Sequence, residues 1–500
     1  MNPVLVLDPF AVETESGGES SAGASLTTRA AGRKASQSLE EKRKISMELT
    51  QRRAAQANDQ WRAALEGHPE DKDKGMGALE RRLLRQGREL QRAELERMLQ
   101  KEANETPPIC PICGRPLQAV QWREITILSR FGPVVVCRAY GYCDHCRCNY
   151  APADDRWKIG AGKNSPEMAE QLQLLGTIAP PEQAERLSTK LYGFQIDDSR
   201  IARELERAGL QALEERERLD EKAQTSEGAW EITRQLDKTL PEKFIMIIQA
   251  DAFLTRERDD WGQSEVIRDE GGQPERWHNA KVGTIFLLQD RVRCGGKTDR
   301  PVILRRAYVA SRGDAFEFSK MLYAAAVRYG LLRASQVYFI SDGAVWLWNI
   351  QRERFPQAIG TLDAYHASQH IWAVAHARYG DGEKAKQWAE AITHQLRHGD
   401  EKKVLKSLKQ LAEVVEKIEP EKRNVDEKAI LREWEYFNCH RGHFDYAAKS
   451  ERGIPIGSGC IESTCKQFQL RVKRCGQFWS TDNLDGLLCL YSRYLSFLWN

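Results

Sequence analysis

From residue 243 onward, short apolar runs alternate with amphipathic stretches. FIMIIQAD, KVGTIFLLQD and ILRRAYVAS are brief, bounded runs that read as strands. DAFEFSKMLYAAAVRYG then reads as a helix, VYFISD as a strand, Val345 to Gln351 as a helix, and AIGTLDAYH as a further strand. Three strands followed by alternating helix and strand predict an α/β fold. Residues 382–450 break that alternation. In KKVLKSLKQLAEVVEKI, Val404, Leu405, Leu408, Leu411, Val415 and Ile418 mark one helical face, so the stretch reads as a helical insertion. The chain returns through GIPIGSGCIESTCKQFQLRVKRCG, a glycine-rich loop feeding a basic helix.

Upstream, ALERRLLRQGRELQRAELERMLQ places Leu79, Leu83, Leu90 and Leu95 at helical spacing, and Pro107 and Pro108 stop the helix. Residues 108–155 are cysteine-bearing and β-like. Residues 165–235 are helical, with PEQAERLSTKLYGFQIDDSRIARELERAG reading as helix, turn at Gly193, then helix from Ser199. Residues 13–37 are rich in Gly, Ser and Ala without apolar periodicity, and are expected to be disordered. The expected organisation is a flexible, charged region over 1–75, a helix plus cysteine-bearing segment over 76–157, and a helical region over 160–238. An α/β core follows in two parts, 240–381 and 451–500, around an insertion at 382–450.

Composition narrows the class without naming a partner. The 500 residues are 41% apolar and 29% charged, as in globular chains. Lys plus Arg number 75 against 72 Asp plus Glu, so any basic surface must be local. No apolar run approaches the ~18 residues of a membrane span. MNPVLVLDPF lacks a basic leader and is interrupted by Asp8, a poor signal peptide. An intracellular setting is expected, where the 12 cysteines read as metal ligands or core residues rather than disulfides.

Cys110-Pro-Ile-Cys113 and Cys143-Asp-His-Cys146 form a CxxC pair separated by 29 residues, with Gly114 after the first. Each CxxC turn supplies two soft ligands, and four complete a tetrahedral structural zinc site with no open position for catalysis. Strand-like REITILSR and VVVCRAYGY between them suit a zinc ribbon. The bland alternative is unpaired core cysteines; Cys137 and Cys148 are spares, and Cys148 can replace Cys146 as a ligand.

Asp251 ends FIMIIQAD, Asp342 ends VYFISD, and Glu462 begins a helix after GSG. Each taken alone suits a strand-end turn or helix start. Together, on separate elements, they match the hard oxygen donors that two Mg²⁺ or Mn²⁺ ions about 4 Å apart require for phosphoryl transfer. Gly343 lets the backbone turn beside Asp342 and a metal or phosphate approach. Trp346 and Trp348 lie two apart and cannot share a helical face; core packing and stacking on a displaced base are both open for Trp346.

Other motifs fall away. HASQH lacks the glutamate of a metalloprotease motif, GAGKNS lacks the leading glycine of a P-loop, and GIPIGSG has no dinucleotide-binding context. Asp259 and Asp260 sit in a charged run that suits a solvated loop. Lys466, Arg471, Lys473 and Arg474 follow Glu462 with no acid between, reading either as a phosphate-holding surface or a solvated helix face. Arg200, Arg203 and Arg207 share a face, so the Ser199 helix reads either as the second helix of a DNA-reading helix-turn-helix or as part of a plain hairpin.

The order Asp251, Ser341-Asp342-Gly343, Asp363-Ala-Tyr-His366 and Gly457-Ser-Gly-Cys-Ile-Glu462 closely resembles bacterial insertion-sequence transposases of the ISKra type. The resemblance covers roughly residues 78–490, including the CPxCG turn and the closing RVKRCGQFW. It implies an RNase H-like fold with a helical insertion before the final glutamate, and a metal-binding DDE triad of Asp251, Asp342 and Glu462. Asp363 and His366 resemble the (C/D)xxH motif of Mutator-like transposases. One departure is Ala252, where relatives often carry Gly. The resemblance further implies 3′-end cutting of the element, joining to target DNA, an oligomer on the paired terminal inverted repeats, and a bacterial cytoplasmic, nucleoid-associated location without a membrane. The competing readings are a non-catalytic DNA-binding regulator derived from a transposase and an RNase H-like nuclease that cuts without joining.

Overall fold

In the computed structural model, the described residues are 27–66, 75–236, 239–258, 277–293, 301–475 and 477–496. Asp259, Asp260 and most of the 13–37 stretch lie outside them. From Thr27 the chain is helical, which corrects the expected disorder for the last part of that stretch. The chain divides into two units, residues 1–169 and 170–500.

The first unit pairs two long helices, α1 (Thr27–Glu66) and α2 (Gly75–Glu105), with a three-stranded antiparallel sheet. Its strands are β1 (Gln118–Ser129), β2 (Gly132–Cys143) and β3 (Cys148–Tyr150), in that order, and a short α3 (Pro152–Arg156) follows. β3 pairs with only the last residues of β2, so the rest of that β2 edge has no strand neighbour. Two buried side chains of α2 satisfy part of it. Gln100 accepts from the Cys137 N–H (3.0 Å) and donates to its carbonyl (2.9 Å), and Glu96 accepts from the Val135 N–H (3.3 Å). Trp122, Ile125, Ile127, Val134 and Val136 fill the core beneath.

α4 (Pro166–Ile178) spans the division. The second unit continues with α5 (Pro181–Tyr192), α6 (Asp198–Gln224) and α7 (Ser226–Gln235). Its sheet uses β4 (Ile245–Arg256) and β5 (Trp277–Leu287), then, after a small hairpin of β6 (Arg291–Arg293) and β7 (Pro301–Ile303), β8 (Ala307–Ser311). α8 (Ala315–Arg328), β9 (Gln336–Ser341), α9 (Val345–Arg354) and β10 (Ile359–Leu362) complete it. The order is β10-β9-β4-β5-β8, with β4, β5 and β8 antiparallel and β4, β9 and β10 parallel. The fold is mixed α/β.

Side chains alternate across β4. Met246, Ile248 and Ala250 face a core closed by α7, α8 and α9 through Ile232, Phe318, Leu322 and Leu347. Ile247, Gln249, Asp251 and Phe253 face the opposite side. There, α15 (Gly459–Val472) and α16 (Thr481–Leu495) cover the sheet with Ile461, Phe468, Leu484 and Leu488. Between β10 and α15 come α10 (Ala364–Tyr379), α11 (Glu383–Arg397), α12 (Glu401–Glu416), α13 (Val425–Cys439) and α14 (Tyr446–Glu451), packed around Ile371, Leu396, Val404, Leu408 and Phe437. No helix among the described residues is long and apolar enough to cross a membrane.

Candidate functional site

Two clusters of ligand-type side chains stand out. In the first unit, the Gly114 N–H bonds the Cys110 carbonyl (2.9 Å), and Gly114 adopts the left-handed conformation this tight turn needs (φ 72°). A matching turn bonds the Arg147 N–H to the Cys143 carbonyl (2.8 Å). Sulfur atoms lie 3.8 Å apart in Cys110–Cys146 and 3.5 Å apart in Cys113–Cys143, with all four within 4.8 Å of one another. Metal–sulfur bonds of ~2.3 Å in a tetrahedron give edges of ~3.8 Å. The four thiols are therefore spaced as a four-coordinate zinc site requires. Cys137 lies outside the cluster, and Cys148, the alternative ligand, is exposed on β3.

The second cluster lies where the parallel strands end. Leu362 pairs with Ser341, and Ile340 pairs with Gln249. Carried forward, that register puts Asp363, Asp342 and Asp251 in one row across β10, β9 and β4, on one face of the sheet. Asp251 does not end its strand, contrary to expectation. β4 runs on to Arg256 because β5 stays paired with it, Asp251 opposite Val282, while β9 pairs no further than Gln249. Backbone N–H groups fix two of these carboxylates: Ala252 donates to Asp251 (2.7 Å) and Ala344 to Asp342 (3.0 Å).

Glu462 joins from the first turn of α15. Gln249, fully buried beside the row, ties that helix to β4: its amide donates to the Gly457 carbonyl (3.1 Å) and accepts from the Ile461 N–H (3.0 Å). The Ser458 hydroxyl contacts both Asp363 and Glu462, the latter at 3.0 Å. Asp363 caps α10 by accepting from the Tyr365 N–H (2.7 Å) and bonds His366 Nδ1 (2.8 Å). Ligand atoms of Asp363, His366 and Glu462 fall within 4.8 Å of one another, a tighter set than Asp251, Asp342 and Glu462. Asp363, however, is fully buried with its oxygens engaged by Tyr365, His366 and Ser458, which suits an orienting role better than a ligand's.

The helical insertion braces the row. The Tyr436 hydroxyl donates to the Asp342 carbonyl (2.8 Å), and His440 Nε2 lies 3.1 Å from the Gly343 carbonyl oxygen. Gly343 has φ 103°, and a Cβ there would sit 2.9 Å from the Tyr436 ring. Gly343 was expected to admit a metal or phosphate; its neighbour here is that ring. His370 stacks on Tyr436 (3.6 Å between ring centres) and bonds Glu433.

The charges push on one another. Burial raises the Asp251 carboxyl above the usual range, the Ala252 N–H opposes it, and the Asp342 charge adds to the rise. Burial also works to raise Asp363, but bonds from His366, Ser458 and Tyr365 outweigh it and hold that carboxyl low. The bond to Asp363 holds the His366 imidazole above its ordinary value against burial, aided by the charges of Asp363, Asp342 and Glu462. Cys465 reaches Asp251 (3.7 Å), and burial keeps its thiol protonated.

The expected DNA-contacting residues divide. Lys466, Lys473 and Arg203 are exposed; Arg200 is half-buried, and Arg474 bonds the Leu470 carbonyl (2.9 Å) and Gln183 (2.6 Å). Arg471 is a correction. It is 1% exposed, and its guanidinium donates to the Thr177 (2.8 Å) and Gly176 (2.6 Å) carbonyls, so it ties α15 to α4 and offers DNA nothing. Trp346 is a second correction, packing edge-on against Phe318 (6.0 Å) at the core. Trp348 stacks on His443 (4.3 Å). The half-buried or buried Gln249, Ser458, Tyr436, His440 and Cys465 were missed; a glutamine inside the apolar run FIMIIQAD was the one signal available.

Residues 291–496 match an uncharacterised protein family (UPF0236). No curated protein matches the chain.

Proposed function

We propose that this chain is a metal-dependent DNA transposase whose second unit is an RNase H-like core and whose four cysteines bind a structural zinc ion in a ribbon. The observation that carries the reading is the row of Asp251 in β4 and Asp342 just past the end of the adjacent β9, with Glu462 brought beside it by the Gln249 clamp. Like charges packed side by side and partly buried favour a cation between them, and an all-oxygen donor set suits Mg²⁺ or Mn²⁺. Asp251, Asp342 and Glu462 would hold the ions. The ions would supply activation of the attacking oxygen and stabilisation of the leaving one. The sheet order, three antiparallel strands continued on the other side of β4 by two parallel ones, agrees with an RNase H-like core.

The chain's own groups then have distinct tasks. Asp363 holds His366 through Nδ1, so a protonated imidazole keeps Nε2–H to donate to a phosphate or leaving oxygen. Ser458 fixes Asp363 and Glu462 relative to each other. A water attacks the 3′ phosphodiester at the element end; the freed 3′ hydroxyl then attacks a target phosphodiester, breaking one P–O bond and forming another.

The test is Mg²⁺- or Mn²⁺-dependent cutting and joining of DNA carrying the sequences that flank the gene, comparing wild type with Asp342→Asn. Cutting and joining by wild type alone is expected. Cutting without joined products would reassign the chain as a nuclease. DNA binding by both with cutting by neither would make it a DNA-binding regulator.

A further inference from the structure

β4 and α15 leave the carboxylates side by side and run in the same direction. Cys465 meets Asp251, the Phe253 and Phe468 rings lie 6.5 Å apart, and beyond them the Trp479 N–H bonds the Arg256 carbonyl (3.3 Å). There the surface changes character. Trp277, paired with Arg256 across β4 and β5, is 49% exposed. The Arg256 guanidinium lies 5.8 Å from the Trp277 ring centre and 4.4 Å from that of Phe478. The Lys473 ammonium lies 5.1 Å from Trp277, and Arg258 lies 5.7 Å from Phe478. Arg256 and Lys473 are exposed, and neither has an acidic partner among the described residues. A groove of about 740 Å³ adjoins, lined by Pro181, Arg258, Arg474, Phe478 and Trp479, with Glu182 and Asp198 also on its walls.

Resting on the transposase reading, we propose that this platform holds an unpaired DNA strand as it leaves the carboxylates. Bases stack on Trp277 and Phe478, and phosphates lie on Arg256, Arg258 and Lys473. Aromatic faces accept any base, and cations beside them track the backbone. A packing role alone does not account for a half-exposed tryptophan flanked by two cations that have no acidic partner among the described residues. The path length is set twice over. Five strand residues from Asp251 to Arg256 at ~3.3 Å each, and eleven helical residues from Glu462 to Lys473 at ~1.5 Å each, both span ~17 Å. At ~3.4 Å per stacked nucleotide, the platform meets the strand about five nucleotides from the reacting phosphate.

The test uses the full chain and two readouts. One is binding of a fluorescent oligothymidylate of about 10 nucleotides over a range of salt concentrations; the other is Mn²⁺-dependent cutting of the flanking DNA. Trp277→Ala and Phe478→Ala should each weaken oligothymidylate binding about 5- to 150-fold, and Trp277→Phe should retain most of it. Arg256→Gln and Lys473→Gln should each reduce the log–log salt slope by about 0.7. Unchanged unfolding midpoints show that these surface variants remain folded. Wild-type cutting with unaltered oligothymidylate binding in both aromatic variants, or with no wild-type binding at all, overturns the platform and leaves the transposase reading intact. Binding lost in the aromatic variants, with no metal-dependent cutting by wild type, upholds the platform and sinks the transposase reading.

Discussion

The cysteine cluster and the carboxylate cluster are built on opposite plans. Each cysteine pair sits in its own turn, closed by one backbone hydrogen bond, so four ligands need only two short segments. The carboxylates come from a strand interior, the turn after a second strand and a helix start, with residues of other elements setting each one's place. Gln249 places Glu462, Tyr436 and His440 hold the Asp342 turn, and Ser458 links Asp363 to Glu462. A local site fails only at its ligands. An assembled site also fails at residues that touch no ligand.

That contrast orders four expectations. The largest concerns the cysteines. Cys110→Ser or Cys143→Ser should release the metal and melt the small sheet around it, since structural zinc contributes on the order of 10 kcal/mol to folding. Metal content of purified wild type and variants checks this; equal zinc in both would reduce the cysteines to core residues. Next, Gly343→Ala combines a left-handed backbone with a methyl driven into Tyr436, and should cost about 1–3 kcal/mol. A thermal midpoint matching wild type would show that the Tyr436 brace is slack.

Gln249→Leu should cost a similar amount, about 1–3 kcal/mol, by stranding the Ile461 N–H and the Gly457 carbonyl. It should also weaken Mn²⁺ binding by calorimetry although Gln249 is no ligand; unchanged affinity would break the claim that the clamp places Glu462. The smallest effect is pH-dependent. His366 is raised by its bond to Asp363, so its contribution is full below the unfolded value of ~6.5 and is lost as pH rises through the higher folded value. Asp363 is lowered, so its contribution is present above ~3.9 and is lost as pH falls through the depressed value. The urea midpoint of wild type should therefore exceed that of His366→Gln by a constant margin between those limits, shrinking as pH rises above the upper one and as it falls below the lower one. A margin that grows with pH would reverse the assignment.

The same contrast governs what could be read from the sequence. Apolar runs mark β4, β5, β9 and β10 because strands buried on both faces need continuous hydrophobicity, and spacing alone picks out the four clustered cysteines. On α12, Val404, Leu408 and Val415 are buried as their periodicity implies. Arg471 misleads because charge run and helix face conflict: it follows Phe468 by three residues, on the inward side, where two carbonyls replace solvent. Trp346 reaches the core at the start of α9. The length of β4 beyond Asp251 depends on its pairing with β5, a tertiary fact with no local signature. Tyr436 and His440 lie about a hundred residues from the turn they hold, beyond any spacing argument.

The bracing of Asp342 by α13 has a consequence for how the gene can change. A ribosome delivers Asp251 and Asp342 well before Tyr436, His440 and Glu462. A frameshift or stop anywhere in the insertion therefore yields a chain with both aspartates and no finished site. Damage to the middle of the gene therefore leaves a product whose carboxylate site is never assembled.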